Sequence, residues 1–171
     1  MPGNVPSFAE LLTSTKGSAI HLEMRDTYTP DDPKFLAWRE TGALEGFGAG
    51  SAWFGLIRGA VARGVTVRRA RLVSEPVTDY IRFEHAVTSL HNVPAGEQVR
   101  WLSRCRASDL ALPGNDFWVF DDRLVRFHHF SGEGHALDEE FSEDPSVINL
   151  CLAAFEAVWS RAVDQAEFEP R

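Results

Sequence analysis

Between Ser18 and Arg25 apolar and polar residues alternate, with Ile20, Leu22 and Met24 on one side and His21, Glu23 and Arg25 on the other. A period of two predicts a strand with one covered face and one polar face. A short helix carrying Leu11 and Leu12 precedes it, opened by the capping-box spacing of Ser7 and Glu10. Asp31-Asp32-Pro33 supplies the acids and proline of a second helix start, with Phe35, Leu36 and Trp38 as its apolar side, and the glycine-punctuated stretch 42–50 reads as a loop. From Ser51, a candidate cap, Trp53, Leu56, Ile57, Ala60 and Val61 recur at helical spacing until Gly64. The β-branched run Val65 to Val73 then predicts a strand that Pro76 ends, and Tyr80, Ile81, Val87 and Leu90 predict a helix from Thr78 to about Leu90.

A turn at Pro94-Ala95-Gly96 leads to a short strand from Gln98 to Leu102. Asp116 to Phe120 and Leu124 to Phe130, separated by Asp121-Asp122-Arg123, read as an antiparallel hairpin, with a third strand from His135 to Phe141. Asp144 caps and Pro145 starts a long final helix whose apolar side holds Val147, Ile148, Cys151, Leu152, Phe155, Val158 and Trp159. Helices alternating with strands early and neighbouring strands later predict an α/β (mixed α+β) fold, a single mixed β-sheet flanked by helices. The 171 residues form one expected domain, with fraying at 1–6 and 166–171.

Composition narrows the function classes. A net charge of −8 opposes general affinity for nucleic acid, which depends on basic groups displacing counterions from phosphate. No run approaches the roughly 18 apolar residues of a membrane span, and no basic-then-apolar leader opens the chain, so a cytoplasmic location is expected. Cys105 and Cys151 have no metal-ligand spacing and read as reduced thiols, Cys151 as a core residue. Phosphate-loop and dinucleotide fingerprints are missing, Gly46-Phe47-Gly48-Ala49-Gly50 having a different rhythm, and no cofactor is expected.

The densest polar stretch is the strand with Arg68, Arg69 and Arg71 together with its exit, Glu75, Asp79, Tyr80, Arg82 and Glu84. Strand exits in α/β sheets line ligand crevices. Alternation sends Arg69 and Arg71 to the sheet face opposite Arg68, while helical spacing lets Asp79 share a side with Arg82 and Tyr80 with Glu84. Arg68, Glu75, Asp79, Tyr80, Arg82 and Arg100 are therefore the candidate ligand-binding residues, with Glu75, Asp79 and Arg82 as the group expected to act together. An internal ion-pair network is the competing explanation. Ser74 lacks the G-x-S-x-G context of a nucleophile. A second cluster, Asp116, Asp121, Asp122, Arg123, Arg126, His128 and His129, has no metal-ligand pattern, and its paired aspartates read as turn chemistry. His21, His85, His91 and His135 are scattered and read as partly exposed structural residues.

The segments from Ser18-Ala19-Ile20-His21-Leu22-Glu23-Met24-Arg25-Asp26 to Tyr28 and from Val73-Ser74-Glu75-Pro76 to Glu84, with His91-Asn92-Val93-Pro94-Ala95-Gly96-Glu97 and Asp116 to Asp122, resemble the uncharacterised actinobacterial family DUF6879 over nearly the whole chain. The resemblance implies a setting beside small helix-turn-helix regulators. The family is in turn similar to one lobe of phospholipase D-like domains, which use a His-x-Lys motif with a downstream aspartate. The corresponding hairpin here, Asp116 to Asp121, contains neither histidine nor lysine, which implies that this chemistry is absent.

The expected function is a non-catalytic regulatory or binding module acting with a protein partner, such as a helix-turn-helix transcriptional regulator, or with a small anionic ligand. The alternative is a hydrolase or phosphoryl-handling enzyme using Glu75 or Asp79 as acid/base and Arg82 or Arg100 against developing negative charge. Direct DNA binding is opposed by the acidic balance. The apolar stripe of the final helix fits the sheet or another subunit, leaving the oligomeric state open.

Overall fold

The computed structural model describes residues 5–171; residues 1–4, part of the expected frayed N-terminus, lie outside the described residues. Helix α1 (Phe8–Ser14) opens with a capping box: Ser7 Oγ accepts from Glu10 N, and the Glu10 carboxylate accepts from Ser7 N at 2.8 Å. Strand β1 (Ser18–Glu23) follows, then α2 (Pro33–Thr41) and α3 (Ala52–Ala62), whose Ser51 cap accepts from Phe54 N. Next come β2 (Thr66–Val73), α4 (Asp79–Leu90), α5 (Asn92–Ala95) and β3 (Gln98–Ser103). The expected turn at 94–96 is thus the end of a one-turn helix, and Gly96 at φ 105° supplies the left-handed stop that a side chain would resist. Strands β4 (Asp116–Phe120), β5 (Leu124–Phe130) and β6 (Ala136–Ser142) precede α6 (Pro145–Arg161) and β7 (Val163–Asp164), a short strand absent from the sequence expectation.

The strands form one mixed sheet in the order β6-β5-β4-β1-β2-β3-β7. β1, β2 and β3 are parallel, and every other pairing is antiparallel. Parallel neighbours require crossovers, and the crossover helices cover one face of the sheet. There Phe54, Ile57 and Ala60 of α3 pack on Ala19, Val67 and Trp118, while Ile81 of α4 packs on Val73, Val99 and Trp101. α6 covers the other face, setting Ile148, Cys151, Phe155 and Val158 on Ile20, Leu22, Leu72, Val119 and Val125. Cys151 is the expected core residue, and burial pushes its thiol up to about 12. In the hairpin Asp121 and Asp122 both adopt φ 51°, the left-handed conformation aspartate tolerates, and Asp121 accepts from the backbone N–H groups of Lys16, Gly17 and Ser18.

The C-terminal residues 166–171, expected to fray, are docked instead. Phe168 stacks on Trp101 with ring centroids 5.2 Å apart, Gln165 accepts from Trp101 Nε1, and Arg171 O accepts from Val77 N at 2.6 Å. No helix among the described residues is long and apolar enough to cross a membrane.

Candidate functional site

With both faces of the sheet covered, the polar side of β1 points into protein rather than solvent. His21 is 7% exposed, which corrects its reading as a partly exposed histidine. Register then builds a charged row. His21 lies opposite Arg69, and Glu23 opposite Arg71, across the parallel β1–β2 ladder. On the other side His21 faces Trp118, and beyond it Asp116 faces His128 and Trp118 faces Arg126. All these side chains lie on the face that α4 covers. Arg68, by alternation, lies on the α6 face, as expected.

The row is held by ion pairs. Arg69 donates to Glu23 at 2.7 Å and to Glu97 at 2.6 Å; Arg71 meets Glu23 at 2.5 Å and Glu84 of α4 at 2.7 Å. Glu97 also accepts from Asn92 Nδ2 at 2.8 Å, Glu84 accepts from Tyr80 Oη at 3.0 Å, and Arg126 pairs with Glu139 of β6. Burial alone would raise the Glu23 carboxyl, but Arg71 and then Arg69 overcome it and hold Glu23 below its usual range. Burial, followed by the charge of Arg69, drives the His21 imidazole well below its ordinary value, and burial with Arg126 lowers that of His128, which favours the neutral ring in both. Asp116 accepts from Tyr28 Oη and, at 2.9 Å, from Met24 N, yet burial lifts its carboxyl to about 6.

These residues enclose a two-chambered cleft. The inner chamber, about 260 Å³, is lined by His21, Glu23, Tyr28, Arg69, Tyr80, Glu84, Asp116, His128 and Phe130. The adjoining outer chamber, about 300 Å³, shares Asp116, His128 and Phe130 and adds Met24, Arg25, Arg104 and the loop from Leu112 to Asn115. Two buried ring nitrogens in the inner chamber, His21 Nδ1 and His128 Nε2, have no hydrogen-bond partner. His21 Nδ1 lies 3.7 Å from Glu23 Oε1, too far for a hydrogen bond. Both nitrogens are closed off by neighbouring atoms, while Tyr28 and Tyr80, which donate to Asp116 and Glu84, keep hydroxyl oxygens able to accept at the chamber wall. Among the described residues no three His, Cys, Asp or Glu side chains group as a metal site.

Of the six residues singled out from sequence, Tyr80 alone lines the inner chamber, sharing its helix face with Glu84 as the spacing implied. Arg68 pairs with Glu156 at 2.6 Å and Arg100 with Asp164 at 2.8 Å, both beside Trp159 of α6 on the opposite face. Glu75 accepts from Ser103 Oγ, Asp79 is exposed in the first turn of α4, and Arg82 donates to Pro170 O. The expected trio of Glu75, Asp79 and Arg82 is therefore not brought together. Glu75 and Arg82 both border the C-terminal tail, Glu75 in a pocket with Glu169 and Arg171 and Arg82 on Pro170 O, but neither bonds the other or Asp79 among the described residues. The residues that do converge, His21, Glu23, Arg69, Arg71, Asp116 and His128, left one signal in the sequence: polar pairs two apart within strands.

The family described as Domain of unknown function (DUF6879) matches residues 6–170, and the chain belongs to it. A search of curated proteins returns no relative. Among solved structures the fold is similar to TrmBL2, described as an archaeal chromatin protein with a novel mode of DNA binding. That match has a TM-score of 0.50 at 14% identity and covers 90% of this chain, which spans 47% of TrmBL2. It is also similar to Nuc, a phospholipase D family member from Salmonella typhimurium, with a TM-score of 0.49 at 14% identity, covering 91% of this chain and 86% of Nuc. At such identities the likeness is one of fold alone.

Proposed function

We propose that this DUF6879 protein is a non-catalytic binding module that takes a small polar molecule into the cleft at the C-terminal ends of β1 and β2. The observation that carries the reading is the inner chamber itself, about 260 Å³ and walled by the polar side chains of His21, Tyr28, Arg69, Tyr80, Asp116 and His128. Beside it His21 Nδ1 and His128 Nε2 are buried without a partner among the described residues, at a cost of about 1–3 kcal/mol each, which a ring turning toward a bound ligand would recover.

Binding is favoured over catalysis because Arg69, the guanidinium of the inner chamber, already faces two carboxylates, and in the hydrolase alternative Arg82 is spent on Pro170 O while Arg100 lies on the α6 face with Asp164. DNA binding, described for TrmBL2, is disfavoured here by the net charge of −8. The test is a thermal-shift panel of small hydroxylated, heterocyclic and acidic molecules on the wild type and on Gly114→Trp. Gly114 borders the outer chamber with open space around it, so the indole fills that half of the cleft without crowding the fold. A ligand should raise the wild-type melting temperature and leave the variant unmoved, and NMR should recover it chemically unchanged. A wild type indifferent to the whole panel, or a shift that survives the blocking variant, refutes the reading.

A further inference from the structure

The two chambers differ in charge. In the inner one Arg69 is matched by Glu23 and Glu97, and Glu84 adds a further carboxylate, so a second anion would be repelled there. In the outer one the single lining carboxyl is Asp116, already engaged by Tyr28 Oη and Met24 N. Two guanidiniums face it.

Arg25 continues the polar side of β1 one step past the strand end. It forms no ion pair among the described residues, its buried Nε has no partner, and its guanidinium rests over Phe130 at 5.1 Å from the ring centroid. An aromatic face orients a guanidinium without neutralising it. Arg104, on the turn after β3, donates Nε to Ser74 Oγ at 3.0 Å and Nη2 to the carbonyls of Met24 and Leu72, while its nearest carboxylate, on Asp26, is 3.9 Å away. Ser74, the two carbonyls and a long ion pair with Asp26 fix that side chain and leave Nη1 as its donor without a partner among the described residues.

We infer that the outer chamber is an oxyanion subsite and that the ligand is a small organic acid, held by Arg25 and Arg104 through a carboxylate or phosphate-monoester group, with an uncharged hydrogen-bonding body in the inner chamber. This rests on the cleft being a binding site. Guanidinium forks suit both oxyanions, since each presents paired oxygens to parallel N–H donors.

Glycerol, glycerate and glycerol 3-phosphate share one three-carbon body and differ in the terminal group. Each is titrated into the full chain while NMR follows backbone amides and arginine Nε–H signals. Glycerate or glycerol 3-phosphate should shift the Arg25 Nε–H signal and bind at least about tenfold more tightly than glycerol, the stronger of the two naming the oxyanion. Arg25→Gln, which severs no hydrogen bond, should erase that preference, and Arg25→Lys should retain part of it. If glycerol binds as well as the acids, or Arg25→Gln leaves acid affinity unchanged, the oxyanion subsite is wrong while the binding reading stands. If none of the three perturbs any cleft signal, both fall.

Discussion

Arg71→Met tests whether the charged row is an integral part of the fold. Arg71 is 3% exposed and bridges Glu23 at 2.5 Å and Glu84 at 2.7 Å, with its guanidinium 5.0 Å from the Trp101 ring centroid. Together Arg69 and Arg71 face three carboxylates, those of Glu23, Glu84 and Glu97. Methionine fills much of the same space without charge, so what the substitution removes is mainly compensation. Arg69 is then left to compensate Glu23 and Glu97, and Glu84 keeps only Tyr80 Oη. Removing one partner of a buried pair costs about 3–5 kcal/mol, a large share of the roughly 5–15 kcal/mol that stabilises a domain. At a urea slope of about 2 kcal/mol per molar, the unfolding midpoint should fall by roughly 1.5–2.5 M. The sign of the pH dependence follows from Glu23. In the wild type its lowered pKa adds stability above the unfolded carboxyl pKa, lost as pH falls through the folded value. Without Arg71, burial dominates and the folded pKa rises above the unfolded one, so the variant loses stability as pH rises. The gap between the two proteins should therefore narrow from about pH 7.5 to about pH 5. A cost below about 1 kcal/mol at neutral pH, or a gap that ignores pH, refutes the reasoning.

Asp116, raised to about 6 by burial, contributes stability that is present at low pH and declines as pH rises from about 4 to about 6. Asp116→Asn should flatten that part of the curve of melting temperature against pH, and an identical slope in both proteins counts against it. Phe168→Ala removes the ring stacked on Trp101 and should cost about 2–4 kcal/mol in urea unfolding, whereas a frayed tail would show almost no change. Arg68→Ala should cost under about 1 kcal/mol by the same measurement, because its partner Glu156 is exposed; a larger loss would mean that stacking on Phe155 dominates.

The elements were legible where periodicity acts locally. Alternation assigned Arg68 to one face and Arg69 and Arg71 to the other, and the four-residue step placed Tyr80 beside Glu84. Burial was not legible. Alternation gives β1 a polar side, but only the count and placement of helices decide whether that side meets water, and here α4 covers it. Pairing was not legible either, since Glu23 meets Arg71 and Asp116 meets His128 through sheet register, which depends on distant parts of the chain. Proximity in sequence misled for another reason: Glu75 and Arg82 are taken up by Ser103 and by the Pro170 carbonyl of a C-terminal tail whose docking the local sequence does not show. The tail misled because the polar composition of 166–171 hides one anchor, Phe168 on Trp101, just after Gln165 has bonded the same indole.

Topology gives the cleft its position. The chain adds β2 and then β3 on one side of β1, and later returns to lay β4 on the other, so strand order reverses at β1. In open α/β sheets ligands bind outside the carboxyl ends of strands, and here the start of the antiparallel β4 meets that end of β1. Glu23 and Arg25 at the end of β1, Arg71 near the end of β2 and Asp116 at the start of β4 stand at that point. A row of apolar side chains there would serve stability as well or better, because buried ion pairs seldom outweigh the desolvation of their charges. The ion pairs do something an apolar row cannot: they lock Arg69, Arg71, Glu23 and Glu84 in fixed positions around the inner chamber while leaving His21, His128 and Arg25 unpartnered beside them. A rigid surround with free hydrogen-bonding groups is preorganised to hold a ligand, which is why the cleft, rather than the arginine-rich strand as a whole, is the place to look for function.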